Sequence, residues 1–249
     1  MRIIAIVQAR MTSSRLPGKV LLPLEGKPVL AHVINRLQNC KLLDEIVVAT
    51  SIHKSDNPIE FWCNKEQIKF FRGSLDDVLD RYYKAALKFN ADAIVRITAD
   101  CPVIDSGLVD EVVEKYLAGE YESFALAGDF PDGLDCQIFS LSSLRKAWVE
   151  AKLPSEREHV GKYIENHPNL FKSGKYFKFK GLLHHRWTLD QIEDYEFLKS
   201  VFKKLYRKDF VFGTTDILEL LEREPELMKI NSQIQRNQGF LKSLKNDRL

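Results

Sequence analysis

The sequence predicts an α/β fold: a mostly parallel sheet wrapped by helices, with a small β excursion and a helical C-terminus. Three observations point there. Short apolar runs bounded by turn residues recur through the first two thirds of the chain, and each reads as a buried strand. Helical patterns fall between them. Strands alternating with helices imply parallel pairing through right-handed crossovers.

The strand-like runs are Ile3–Val7, Glu45–Thr50, Ile68–Phe71 and Ala93–Ile97. Pro28 suits a first helical position, and Val29, Leu30, Val33, Ile34 and Leu37 follow at helical spacing. Ser74 with Asp77 resembles an N-cap pair opening a helix to about Phe89. Asp105 opens another, with Val109, Val112, Val113 and Tyr116 facing inward. Past residue 120 the pattern loosens. Glu122–Ala127 and Asp135–Phe139 read as strands joined by the turn-rich loop Gly128–Gly133. Helices are expected over Leu141–Lys152 and Ser155–His167, and an alternating strand with lysines on one face over Lys175–Lys180. The remainder is helical, ending in a polar, frayed tail from Lys242 to Leu249. Without a repeat or linker, residues 1–249 read as one domain, with about 120–185 as the excursion carrying substrate and dimer contacts.

Bulk properties narrow the function. Apolar residues make up 45% and charged residues 29% of 249, as in an ordinary globular protein. A net charge of +2 gives no support to nucleic-acid binding. No apolar run approaches the roughly 18 residues of a membrane span. The five-residue apolar run at the N-terminus is too short for a secretory signal, so a cytoplasmic location is expected. Cys40, Cys63, Cys101 and Cys136 form no C-x-x-C pair, which argues against zinc or redox chemistry. Cys101, beside a candidate site, reads as a packing residue.

The chemistry concentrates after the first strand. Gln8 to Lys19 carries Arg10, Arg15 and Lys19 with Ser13, Ser14 and a Pro17-Gly18 turn. Basic loops are commonly just solvated. Three cations leaving a buried strand can instead hold a polyphosphate, because ligands of open α/β sheets bind beyond the carboxyl ends of the strands. The loop matches neither the Walker pattern nor the dinucleotide fingerprint. Asp100 follows the fourth strand on the same edge and suits Mg²⁺, which takes carboxylates and phosphate oxygens. Asp190, with Glu193 three residues on, reads equally as a helix N-cap or as a second metal carboxylate. Arg72 could reach a base or phosphate. Asp132–Asp135 could shape an acceptor pocket. Ser155 with Glu158 fits a capping box, leaving Arg157 and His159 to meet an acidic substrate. His184, His185 and Arg186 add a cationic cluster. Adjacent strand histidines would point to opposite faces, so a histidine-only metal site is not expected.

QARMTSSRLPGK resembles the signature of the cytidylyltransferases that activate sugar acids. These include the 3-deoxy-manno-octulosonate cytidylyltransferases and, more closely, relatives in spore-coat polysaccharide biosynthesis. The similarity continues through LLPLEGKPVLAHVINRL, FRGSLDDVLDRY, RITADCPVID, FPDGLDCQIFS, EREHV and RWTLDQIEDYEFL, from Arg2 to near Ser200. The resemblance implies a Rossmann-like nucleotidyltransferase fold and a homodimer. It implies that Arg10, Arg15 and Lys19 hold the CTP phosphates and that Asp100 and Asp190 are paired magnesium carboxylates. Gln8, Ala9, Ser14, Arg72, Ser74 and Thr98 would complete the nucleotide site. Asp135, Arg157, His159, His185 and Arg186 are candidates for a small anionic acceptor. Thr98 stands where the octulosonate enzymes carry Gln, and Gln137 where spore-coat relatives often carry an acidic residue; both leave the sugar identity open.

The implied reaction is CMP transfer from CTP to a sugar acid of ulosonic or nonulosonic type, with release of pyrophosphate, in surface polysaccharide synthesis. Alternatives are a phosphate or phosphonate acceptor, UTP in place of CTP, a metal-dependent glycosyltransferase, or a non-catalytic sugar-nucleotide binder.

Overall fold

The computed structural model describes residues 1–244 and Asp247, with the backbone only at position 242. A seven-stranded sheet runs through it in the order β5-β4-β1-β6-β8-β7-β9. β1 (Ile3–Gln8), β4 (Glu45–Ser51), β5 (Phe70–Gly73) and β6 (Ala93–Thr98) are parallel. β8 (Gln137–Ser140) runs antiparallel beside β6 and β7 (Ser123–Ala127), and β9 (Ser173–Phe177) closes the edge parallel to β7. A two-residue hairpin, β2 (Pro23–Leu24) with β3 (Lys27–Pro28), stands apart.

The unbroken apolar run of β1 is explained by its central place. Ile3, Ala5 and Val7 enter one hydrophobic cluster, while Ile4 and Ile6 enter the other. Successive strand side chains alternate faces, so a strand covered on both sides must be apolar throughout. On the first face pack α1 (Val29–Leu37), α2 (Asn57–Lys65), α4 (Ser106–Ala118), α8 (Ile192–Leu205) and α9 (Thr214–Arg223). On the second lie α3 (Val78–Lys88), α5 (Leu141–Glu150) and α7 (Lys162–Asn166). Each fully buried Val, Leu or Ile contributes roughly 1.5–3 kcal/mol. Among the described residues no helix is long and apolar enough to cross a membrane.

The chain order explains where a ligand can sit. From β1 the chain moves to β4 and β5 on one side, then returns to β6 on the other. Their ends therefore part at a topological switch point, with Gln8 and Thr98 paired in register beside it.

Several expectations need correcting. The helix expected over Ser155–His167 is two short pieces, α6 (Pro154–Glu158) and α7, broken at His159–Gly161. The N-cap of α6 is Leu153 rather than Ser155, so no capping box consumes Glu158. Asp77, not Ser74, caps α3, accepting the Asp80 N–H at 2.9 Å. β9 ends at Phe177, so Lys178 and Lys180 lie beyond it. The tail is ordered further than expected: α10 (Gln238–Leu244) carries the buried Ser243. Residues 245, 246, 248 and 249 of the expected frayed tail lie outside the described residues.

Candidate active site

The loop after β1 is built to present cations. Its base is fixed by Asp56, which accepts the Met11 N–H at 2.8 Å. It closes where the Gly18 N–H meets the Met11 carbonyl at 2.9 Å. Gly18 turns there with φ of 73°, a left-handed conformation that favours glycine. Lys19 follows at the start of a short 3-10 turn and is buried.

Asp190 reaches the same place from far along the chain. The segment after His185 is pinned to the Asp132 loop by Trp187 N–H to the Asp132 carbonyl at 2.7 Å. It is pinned to the end of β6 by Leu189 N–H to the Asp100 carbonyl at 2.8 Å. Trp187 and Leu189 are buried and anchor it. Asp190 is not the helix cap. Asp194 takes that duty, accepting the Asp190 and Gln191 N–H groups at 2.9 and 3.0 Å, with Gln191 as the N-cap of α8. The Asp190 carboxylate is thereby released to the cleft.

Lys19 Nζ lies 2.5 Å from Asp100 Oδ2 and 2.7 Å from Asp190 Oδ1. Arg15 also pairs with Asp190 Oδ1 at 2.7 Å. Burial alone would raise the Asp100 pKa, yet the adjacent Lys19 ammonium outweighs it and holds the carboxyl down to about 2. Burial alone would lower the Lys19 pKa, and the two carboxylates reverse that to leave it raised. The arrangement is thus a charged triad in a poorly solvated place, where such interactions gain strength.

The cleft has two continuous parts. The first, about 550 Å³, is lined by Gln8, Arg10, Ser13, Ser14 and Lys19. The second, about 430 Å³, is lined by Asp132, Asp135, Gln137, Lys162 and Glu165. Arg15, Arg96, Thr98, Asp100, His159 and Asp190 border both. Gln8 Oε1 is a buried acceptor without a hydrogen-bond partner at the floor of the first part. Asp132 is pushed up to about 6, by burial and by its neighbour Asp135, against the opposing pull of Arg236 and Arg186.

Other expected site residues are placed elsewhere. Arg72 is tied to Glu60 and to the Ser51 and His53 carbonyls, outside the cleft. Ser74 accepts the Asp77 N–H and also lies outside. Ala9 is buried in the core with its N–H on the Ala49 carbonyl. Arg157 is held by Asp77 and donates to the Trp148 carbonyl at 2.6 Å. Arg186 is buried as a strut, bonding Asp194 at 2.8 and 2.9 Å and Asp132 at 2.8 Å, with Asp190 at 3.3 Å. His185 faces a separate apolar cavity beside Leu218 and Leu221, and burial pushes its pKa down to about 4. The two histidines lie in a turn, not a strand, and their rings come within 4.2 Å. His159 does border the cleft, where burial lowers its pKa against the opposing pull of Glu158.

Two features escaped the sequence reading. Arg96 sits inside an apolar strand run and gave no signal of its own. α10 forms a wall: Ser243 Oγ bonds Glu158 at 2.5 Å and His159 at 3.0 Å, and Gln238 meets Arg15 at 3.4 Å.

The family model for cytidylyltransferases matches residues 4–238. An uncharacterized protein of Methanocaldococcus jannaschii is 38% identical over 242 residues, 94% of this chain and 96% of that one. Spore coat polysaccharide biosynthesis protein SpsF of Bacillus subtilis is 31% identical over 234 residues, 90% of this chain and 95% of that one. The solved structure of a cytidylyltransferase from Leptospira borgpetersenii superposes with a TM-score of 0.88 at 36% identity, covering 95% of this chain and 100% of that one. The chain therefore belongs to the cytidylyltransferase family, nucleotidyltransferases that take CTP as donor.

Proposed function

We propose that this enzyme transfers CMP from CTP to a sugar acid and releases pyrophosphate, with Mg²⁺ held between Asp100 and Asp190. The observation that carries the reading is the convergence of both carboxylates on the Lys19 ammonium. The donor set fits the ion. Burial keeps the neighbouring Cys101 thiol protonated, so the available ligand atoms are hard carboxylate oxygens. Such a site supplies Lewis-acid polarisation of the phosphoryl group and a template for its oxygens.

The chain's own residues do the rest by positioning and charge. An acceptor oxygen attacks the α-phosphorus in line as the bond to the β-phosphate oxygen breaks; the acceptor proton leaves to solvent. Arg10, Arg15 and Lys19 border the first part of the cleft and are suited to neutralise the triphosphate and the departing pyrophosphate. Gln8 offers its unpartnered oxygen to a donor on the nucleotide. The second part supports a polyhydroxylated acceptor, because Asp132, Asp135 and Glu165 present oxygens to sugar hydroxyls. The relation to a polysaccharide biosynthesis protein supports the same substrate class. A homodimer is part of this proposal, with sedimentation as its check.

The test is pyrophosphate release measured with each of the four ribonucleotides, Mg²⁺, and a panel of ulosonic and nonulosonic acids. Release only with CTP and an acid supports the reading. Release with UTP and a sugar phosphate, or none with any acid, overturns it.

A further inference from the structure

The cations bordering the cleft differ in what already neutralises them. Arg15 and Lys19 are engaged with Asp190 and Asp100. Lys162 pairs with Glu165 at 3.4 Å. Among the described residues, Arg10 and Arg96 have no carboxylate within 4.0 Å. Arg10 borders only the first part, where the triphosphate answers it. Arg96 borders both parts, so its charge is offered to the second part as well as to the first.

The setting of Arg96 is unusual for a strand residue. It sits in β6 two positions before Thr98, so both side chains leave the same face of the sheet. Its register partner is Gln137, and among the described residues its side chain makes one hydrogen bond, to Gln137 Oε1, long at 3.5 Å. Its Nε is buried without a partner. Arg96 as a whole is half-buried, but its buried Nε–H is a donor left unfilled, which is costly to keep, and strand packing alone gives no return for it.

We propose that Arg96 binds the carboxylate of the acceptor. This deepens the sugar-acid reading and rests on it. The planar guanidinium fork matches the two oxygens of a carboxylate. Asp132 and Glu165 are already paired with Arg186 and Lys162, which leaves Asp135, unpaired among the described residues, to repel a phosphate dianion, while all three carboxylates accept hydrogen bonds from hydroxyls. The site thus suits a singly charged polyol acid lying beside Asp100.

Arg96→Gln and Arg96→Lys test the assignment. The probe is whichever acid of a panel led by 3-deoxy-manno-octulosonate the wild type turns over fastest, together with its C1 amide. Removing Arg96 is expected to raise the acceptor KM about 10–100-fold, the range for a charge-assisted pair. The CTP KM stays unchanged, which also reports an intact fold, and Arg96→Lys recovers part of the loss. Wild type prefers the acid over the amide by a similar factor, and Arg96→Gln loses that preference. An acid turned over with an acceptor KM indifferent to Arg96→Gln overturns this proposal alone, as does an equal rise in the CTP KM. Failure of every acid to release pyrophosphate overturns the acceptor reading itself and takes this assignment with it.

Discussion

Asp100 and Asp190, far apart in the chain, share one ammonium: Lys19 Nζ donates to the first at 2.5 Å and to the second at 2.7 Å. The two carboxylates would otherwise repel each other across a poorly solvated gap. Lys19→Met is therefore expected to do more than weaken phosphate binding. Steady-state kinetics should show kcat down by about 100-fold or more, the range for removing one preorganised charge. The CTP KM should rise as well. Unchanged constants would remove Lys19 from the phosphate site.

Asp100→Asn and Asp190→Asn should each cut turnover by at least ~100-fold. Both keep the shape of the side chain, and the helix cap at α8 belongs to Gln191 and Asp194. Thermal unfolding should stay close to wild type in Asp190→Asn, whereas Asp100→Asn, which loses the pairing that holds its carboxyl at about 2, should unfold at lower temperature. A large stability loss in Asp190→Asn would mean that its structural role had been underestimated.

Arg186 and Arg72 behave differently from the cations of the cleft. Arg186 compensates Asp194, which is 0% exposed, and Asp132. Truncating it leaves buried carboxylates unpaired, so Arg186→Met should destabilise by about 3–5 kcal/mol in urea unfolding. Arg72 is consumed by Glu60 and two carbonyls outside the cleft. Arg72→Met should leave the CTP KM where it was, and a marked rise would return that residue to the nucleotide site.

Gly133 has φ of 108°, and a Cβ there would come within 2.8 Å of the backbone at Trp187 and Thr188. That backbone carries the chain on to Asp190. Gly133→Ala should cost about 2–3 kcal/mol, from strain and overpacking together. It should lower kcat by displacing Asp190. Wild-type stability in this variant would contradict the close approach.

The pH dependence of stability has a definite sign at His32. Its Nε2 meets the Leu24 carbonyl at 2.8 Å, and burial pushes its pKa down to about 4. The unfolded chain, with a His pKa near 6.5, then binds more protons between these values. Stability from this group is present above the unfolded value and is lost as pH falls toward the folded one. The loss from pH 7 to pH 5 is about 2 kcal/mol. Buried His185 acts in the same direction. Asp132, raised to about 6, acts oppositely: its contribution is lost as pH rises through that value. Urea unfolding at the two pH values should show a smaller fall in His32→Gln than in wild type.

Much of this was readable in the chain because the informative forces are local. Apolar runs and caps such as Asp105 set the first four parallel strands and their helices, and the cation loop announced itself by composition. What was missed depends on distant partners. Arg72 looked free because Glu60 lies on the preceding helix. Asp190 read equally as a cap or a metal carboxylate, because the sequence does not show that nearby Asp194 takes both N–H groups. Arg96 was hidden inside a strand whose apolar pattern it interrupts only once. The end of α10 from Lys242 was read as part of a frayed tail because the partners of Ser243, Glu158 and His159, come from another segment.

The most direct measurement is anomalous diffraction from crystals of the protein grown with CTP and Mn²⁺ as a stand-in for Mg²⁺. A single strong peak bonded to oxygens of both Asp100 and Asp190, with Lys19 moved onto phosphate, is the expected result. A metal peak that touches neither carboxylate, with Lys19 still clasping both beside bound CTP, would contradict the shared-site claim.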